Sequence, residues 1–178
     1  MKFISDIRLL LVGLWLGAAV FFVGVAQAAF AVLSEHRDLA GAVVNRTLSI
    51  LNFSGMAIAV LMLVLSLIAA KNSNRLLLWI ERLLVLIIGI ACAVGQFVIG
   101  LMISTVRAQI GERTVGELAA DDPLRIQFDN LHNYSEWVLM TAMAAALVAF
   151  FIIANRVARK AAKPGVIEPY NFEKEFKI

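Results

Sequence analysis

Charge, proline, cysteine and histidine are all scarce in this sequence. Only 16% of its 178 residues are Asp, Glu, Lys or Arg, against about 25% in an ordinary soluble domain, which excludes a water-soluble globule of common composition. Three prolines and eleven glycines exclude a collagen-like or low-complexity chain. The single cysteine, Cys92, sits inside an apolar run, so the sequence offers no intrachain disulfide, no CxxC pair and no thiolate cluster. HExxH and CxxCH motifs, a Gly-rich phosphate loop and a Ser-His-Asp set are also missing. No reaction class can be assembled from what remains, and the expectation is a non-enzymatic chain with no resident cofactor.

What the sequence has in quantity is apolar surface: 61% hydrophobic residues and a mean hydropathy of +0.86. These values describe an integral membrane protein, and the length suits one bundle. The net charge of +3 does not point to nucleic acid, because the basic residues flank apolar runs. The expected partners are the lipid bilayer and a membrane protein or a second copy of the chain.

A span needs roughly 20 apolar residues to cross about 30 Å of hydrocarbon. Four segments meet or approach this, 9–33, 48–70, 83–106 and 137–154, and none contains proline or an Asp, Glu, Lys, Arg or His. The expected fold class is an all-α, four-transmembrane-helix bundle over residues 1–163, each span an uninterrupted helix, followed by a tail at 164–178. The absence of ionisable residues inside these boundaries argues against a proton pump or voltage sensor. Lys2 and Arg8, the apolar stretch and Ala26-Gln27-Ala28 also fit a cleavable signal peptide, but the stretch exceeds the usual 7–15-residue apolar region. A retained first helix is therefore expected.

Lys and Arg divide eleven to five between the two sides of this topology, which predicts both termini in the cytoplasm and a bacterial-type inner membrane. Trp79 and Trp137 fall where interfacial belts belong. Asp38 is expected to cap a helix from Leu39, and Lys71 to Arg75 to form a short inner turn. The long outer connection, 107–136, carries six acids against three arginines. Within it, Asp121/Asp122-Pro123 reads as the start of a helix running into the fourth span. Tyr170, Phe172 and Phe176 in the tail could dock on a partner.

Small residues at Gly13, Gly17 and Gly24, and at Gly55 and Gly95, suit close helix packing in lipid. Gln27, Asn52, Ser54, Gln96 and Thr141 either bond between helices or line a polar path; bonding is the plainer reading. The topology places His36 and His132 on the outer side, where the two could meet. Asp129, His132 and Glu136 share one helix face, with Ser135 adjacent. These five residues form the candidate outer-face site. Imidazole with carboxylate suits a metal ion or metal-bearing solute, and two imidazoles suit haem; a helix-entrance histidine that only bonds a neighbour is the structural alternative.

Leu14-Trp15-Leu16-Gly17 through Ala28-Ala29-Phe30-x-Val32-Leu33, then Leu39 to Val44, resembles the start of the transmembrane protein 205-like family, also catalogued as domain of unknown function 4149. Phe128-x-x-Leu131-His132-x-x-Ser135 resembles that family's entrance to its last helix. Gln27 stands where the family usually has proline, and Val138 where asparagine often follows the His/Ser pair. The resemblance implies a four-helix membrane protein of unassigned activity, some of whose relatives are linked to tolerance of metal-containing compounds.

Overall fold

Long apolar runs can satisfy their backbone groups without water only as helices, and the chain is built accordingly. The computed structural model describes residues 2–68, 75–111 and 113–161, and among these no strand occurs. Helix α1 spans Lys2–Val32, α2 Arg37–Ile68, α3 Arg75–Ala93, α4 Gly100–Ile110 and α5 Pro123–Ala161, and a π-helical segment, Val94–Ile99, joins α3 to α4. Four stretches are long and apolar enough to cross a membrane: Phe3–Val32, Arg37–Ile68, Arg75–Ile110 and Pro123–Ala158. Of the expected inner turn from Lys71 to Arg75, Arg75 opens α3, while its other residues and the tail with Tyr170, Phe172 and Phe176 lie outside the described residues.

Each spanning helix packs against two neighbours, α1 on α2, α2 on α3, α3 on α5 and α5 on α1, giving a four-cornered bundle. The cause is a heptad stripe on every helix. Buried residues recur at alternating steps of three and four: Val12, Trp15, Ala19 and Phe22 on α1, and Asn52, Gly55, Ala59, Met62 and Ser66 on α2. The same steps carry Leu78, Glu81, Val85, Ile88 and Cys92 on α3, and Ala142, Ala146, Ala149 and Ile153 on α5. Such spacing keeps one seam turned toward a neighbouring helix. The α5 stripe is nearly all alanine, so its partners approach its backbone closely.

Trp15 fills the middle of the bundle and its indole Nε1 donates to Leu51 O at 3.1 Å. Gly55 makes room for it: a Cβ there would stand 2.5 Å from Cys92 Sγ and 2.7 Å from Trp15 Nε1. A Cβ at Gly13 would stand 3.2 Å from the Phe150 ring, and one at Gly95 3.3 Å from Asn52 Nδ2. The small-residue stripe on α1 does not continue this pattern. Gly17 and Gly24 have no neighbour within 4 Å of a Cβ position, so they face outward from the bundle.

Two further expectations change. The third span is not an unbroken α-helix, because the segment Val94–Ile99 is π-helical and Gly100 N–H bonds back to Gly95 O. The α2 helix starts at Arg37, with His36 O accepting from Ala40 N at 3.1 Å, so Asp38 lies in the first turn instead of capping it. The start of α5 agrees with the sequence: Asp122 Oδ1 accepts from Leu124 N at 2.8 Å, and Pro123 opens the helix.

Between α4 and α5 the chain closes over a small second core of Ile99, Val106, Ile110, Leu118 and Leu131. Gly111 ends α4 at φ 73°, a conformation that L side chains rarely adopt. A short 3₁₀ turn, Val115–Glu117, is held by a capping box in which Thr114 N donates to Glu117 Oε2 at 2.9 Å. Arg125 Nη1 then donates to Leu118 O at 2.8 Å and ties the connection to α5.

Candidate functional sites at the two ends of the bundle

At the end of the bundle that holds the 111–122 connection, Arg107 of α4 reaches toward both α2 and α5. Its guanidinium carbon lies 5.5 Å from the Phe128 ring centroid, and its Nη2 lies 2.7 Å from a Cβ position at Gly41. His36 is five residues beyond Gly41 toward the tip, and His132 is four residues beyond Phe128 in the opposite sense. His36 thus lies in the turn before α2 and His132 in the third turn of α5.

His132 Nε2 lies 3.3 Å from Glu136 Oε1, both side chains exposed, and its ring stacks on Phe128 at 6.5 Å between centroids. Asp129 is exposed on the same helix. Ser135 turns the other way and lines an enclosed cavity with Asn52, Cys92 and Gly95. The sequence-derived site is thus divided: one imidazole–carboxylate pair outside, one serine inside, and His36 in the α1–α2 turn. Among the described residues no three His, Cys, Asp or Glu side chains are grouped as metal ligands would be.

The enclosed cavity measures about 10 Å³, room for at most one water. It adjoins the π-helical segment, which brings Gly95 against Asn52. The other polar residues in the spans do not extend it. Ser54 bonds to Leu51 O at 2.8 Å and Thr141 to Trp137 O at 2.8 Å, each within its own helix. Gln27 is exposed and Gln96 is half-buried. Interhelical bonding by these hydroxyls is accordingly replaced by bonding to their own backbone.

The opposite end, where α1 begins and α5 finishes, holds a constellation that hydropathy did not reveal. Glu81, 0% exposed, is ion-paired with Arg8 Nη2 through Oε1 and accepts a hydrogen bond from Arg156 Nη2 through Oε2. Arg8 is 1% and Arg156 10% exposed. Beside them Arg82 donates through Nε to Ser66 Oγ at 2.9 Å and through Nη2 to Ser66 O at 3.2 Å. Its guanidinium also lies 5.9 Å from the exposed Trp79 ring. All four spanning helices contribute a polar residue at this level.

Span boundaries at Leu9, Leu83 and Ala154 left Arg8, Glu81, Arg82 and Arg156 just outside the apolar segments. The signal that would have found three of them is phase. Arg8 precedes Val12 by four residues, Glu81 sits between Leu78 and Val85, and Arg156 follows Ile153 by three, so all three lie on the buried stripes. No curated protein and no solved structure matches the chain. One family model does, over residues 10–112, which takes in α2, α3, α4 and α1 from its ninth residue on, together with Glu81, Asn52 and Gly95, and leaves out Arg8, Arg156 and Phe128–Ser135. By that match over more than half its length, the chain belongs to the family described as Domain of unknown function (DUF4149).

Proposed function

We propose that this chain is a small, non-enzymatic binding or interaction subunit of a bacterial-type inner membrane, with both termini cytoplasmic. The observation that carries the reading is the filled interior. Trp15, Met62, Cys92 and the α5 alanines occupy the bundle axis, and the cavity beside Asn52, of about 10 Å³, has room for at most one water. What the chain offers a partner is therefore surface. Gly17 and Gly24 leave α1 with an open face beside exposed Leu14 and Phe21, and a concavity of about 460 Å³ opens along Pro123, Ile126, Asn130 and Tyr134. The cytoplasmic placement rests on the distribution of Lys and Arg.

The test is the protein mass of the full chain extracted from its native membrane in mild detergent, by light scattering with the detergent contribution subtracted. The reading requires a stoichiometric assembly heavier than the 19.5 kDa monomer. A monodisperse monomer that moves a solute across proteoliposomes would overturn it.

One observation favours a second reading, binding of a metal ion or metal-bearing solute at the outer face: the exposed His132–Glu136 pair at 3.3 Å. The resemblance of Phe128 to Ser135 to the transmembrane protein 205-like family supports it as well. Isothermal titration with Cu²⁺ and Zn²⁺ at about pH 7.5 and about pH 5.5 brackets an ordinary imidazole. This reading expects binding that weakens at the lower pH and is lost in His132→Asn. Identical isotherms for wild type and variant would remove it.

A further inference from the structure

We propose that the end of the bundle formed by the start of α1, the first turns of α3 and the end of α5 binds a phosphate-bearing anion between Arg8, Arg82 and Arg156. The first ground is charge. Two guanidinium groups pair with one carboxylate, Glu81, a third, Arg82, bonds Ser66 at the same level, and the other described acid at this end, Asp6, is exposed. Guanidinium groups do not lose their protons in proteins, so the excess positive charge cannot be relieved as a buried lysine would relieve it. A buried charge without a counter-charge is expensive.

Unused donors are the second ground. Arg8 Nε and Nη1 and Arg156 Nε are buried without a hydrogen-bond partner, although Arg8 is 1% exposed. The two oxygens of Glu81 are each paired with one arginine, which leaves N–H groups of both arginines without an acceptor. A tetrahedral oxyanion, with acceptors in several directions and negative charge, is the ligand class that satisfies donors and charge together.

Depth supplies the third. Arg8 lies six residues into α1 and Glu81 six into α3, while Arg156 lies five before the end of α5, each about 8–9 Å from a helix end. The α1 helix has 31 residues, roughly 46 Å of rise against about 30 Å of hydrocarbon. A centred bundle therefore puts this cluster at the boundary between hydrocarbon and headgroups, where lipid phosphates lie. Trp79, 67% exposed and beside Arg82, marks the same boundary. Basic pockets between spanning helices on the cytoplasmic side are suited to phosphate headgroups. A lipid headgroup and free phosphate share the chemistry, and the test separates them.

Thermal unfolding of the full-length chain in dodecyl maltoside is followed with added phosphatidylglycerol, phosphatidylcholine or inorganic phosphate, for wild type, Arg156→Gln and Glu81→Gln. The expected result is a midpoint raised by about 5 °C or more at a hundredfold excess over Kd with phosphatidylglycerol but not phosphatidylcholine. An equal rise with inorganic phosphate would show that the site takes the free oxyanion without the lipid. Arg156→Gln should lose at least half of the rise. Glu81→Gln, which removes the competing carboxylate, should keep or enlarge it even though its own midpoint without added anion is lower. If Glu81→Gln does not yield folded protein, native mass spectrometry of wild type and Arg156→Gln decides, wild type retaining a phosphatidylglycerol that the variant loses. No rise with either anion, or the same rise in wild type and Arg156→Gln, would overturn the proposal and leave a self-contained Arg–Glu–Arg clamp.

Discussion

Glu81 is the residue on which one end of the bundle turns. Removing it leaves Arg8 and Arg156 charged and buried with no counter-ion, so Glu81→Ala should cost about 3–5 kcal/mol. Replacing all three residues by leucine should recover most of that loss, because a fully apolar substitute carries no desolvation penalty. Reversible denaturant unfolding in micelles compares the two; a triple variant as unstable as Glu81→Ala would mean that the cluster adds net stability. Gly55 shows the opposite kind of sensitivity. A methyl group there would meet Cys92 Sγ and the Trp15 indole, so Gly55→Ala should destabilise by about 1–3 kcal/mol through overpacking. Gly17→Ala meets open space and should be neutral or stabilising by up to about 1 kcal/mol through helix propensity. Equal melting temperatures for the two glycine variants would contradict the packing described for α1 and α2.

At the scale of elements, the four long helices and the Asp122–Pro123 start of α5 were legible in the sequence because hydropathy and capping are local signals. Asp122→Ala should cost about 1 kcal/mol by removing that cap, and near-identical thermal melts would argue that the second core alone holds the start of α5. The ionic cluster was not legible from hydropathy windows, since a window averages over a turn and discards which side of the helix a residue faces. Arg8, Glu81 and Arg156 carry their information in heptad phase. Gly17 and Gly55 look alike in sequence, but only the facing helix tells them apart: α3 and Trp15 stand before Gly55, and nothing among the described residues stands within 4 Å of a Cβ at Gly17. The π-helical segment Val94–Ile99 has no proline or charge to mark it. His132 and Ser135 are neighbours in sequence, yet a spacing of three residues did not determine that one would face outward and the other the Asn52 cavity.

For the whole molecule, the proposed topology sets the four-span bundle with Arg8, Glu81 and Arg156 at its cytoplasmic end and the 111–122 connection outside. Cysteine labelling with a membrane-impermeant maleimide measures this directly, because the native Cys92 is buried at 2% exposure and should stay silent. Single cysteines replace Glu35 and Asp121 at one end and Arg75 at the other, all exposed positions. The account predicts that Glu35→Cys and Asp121→Cys label in intact spheroplasts, whereas Arg75→Cys labels only after lysis. Labelling of Arg75→Cys in intact spheroplasts, or of all three alike, would contradict it.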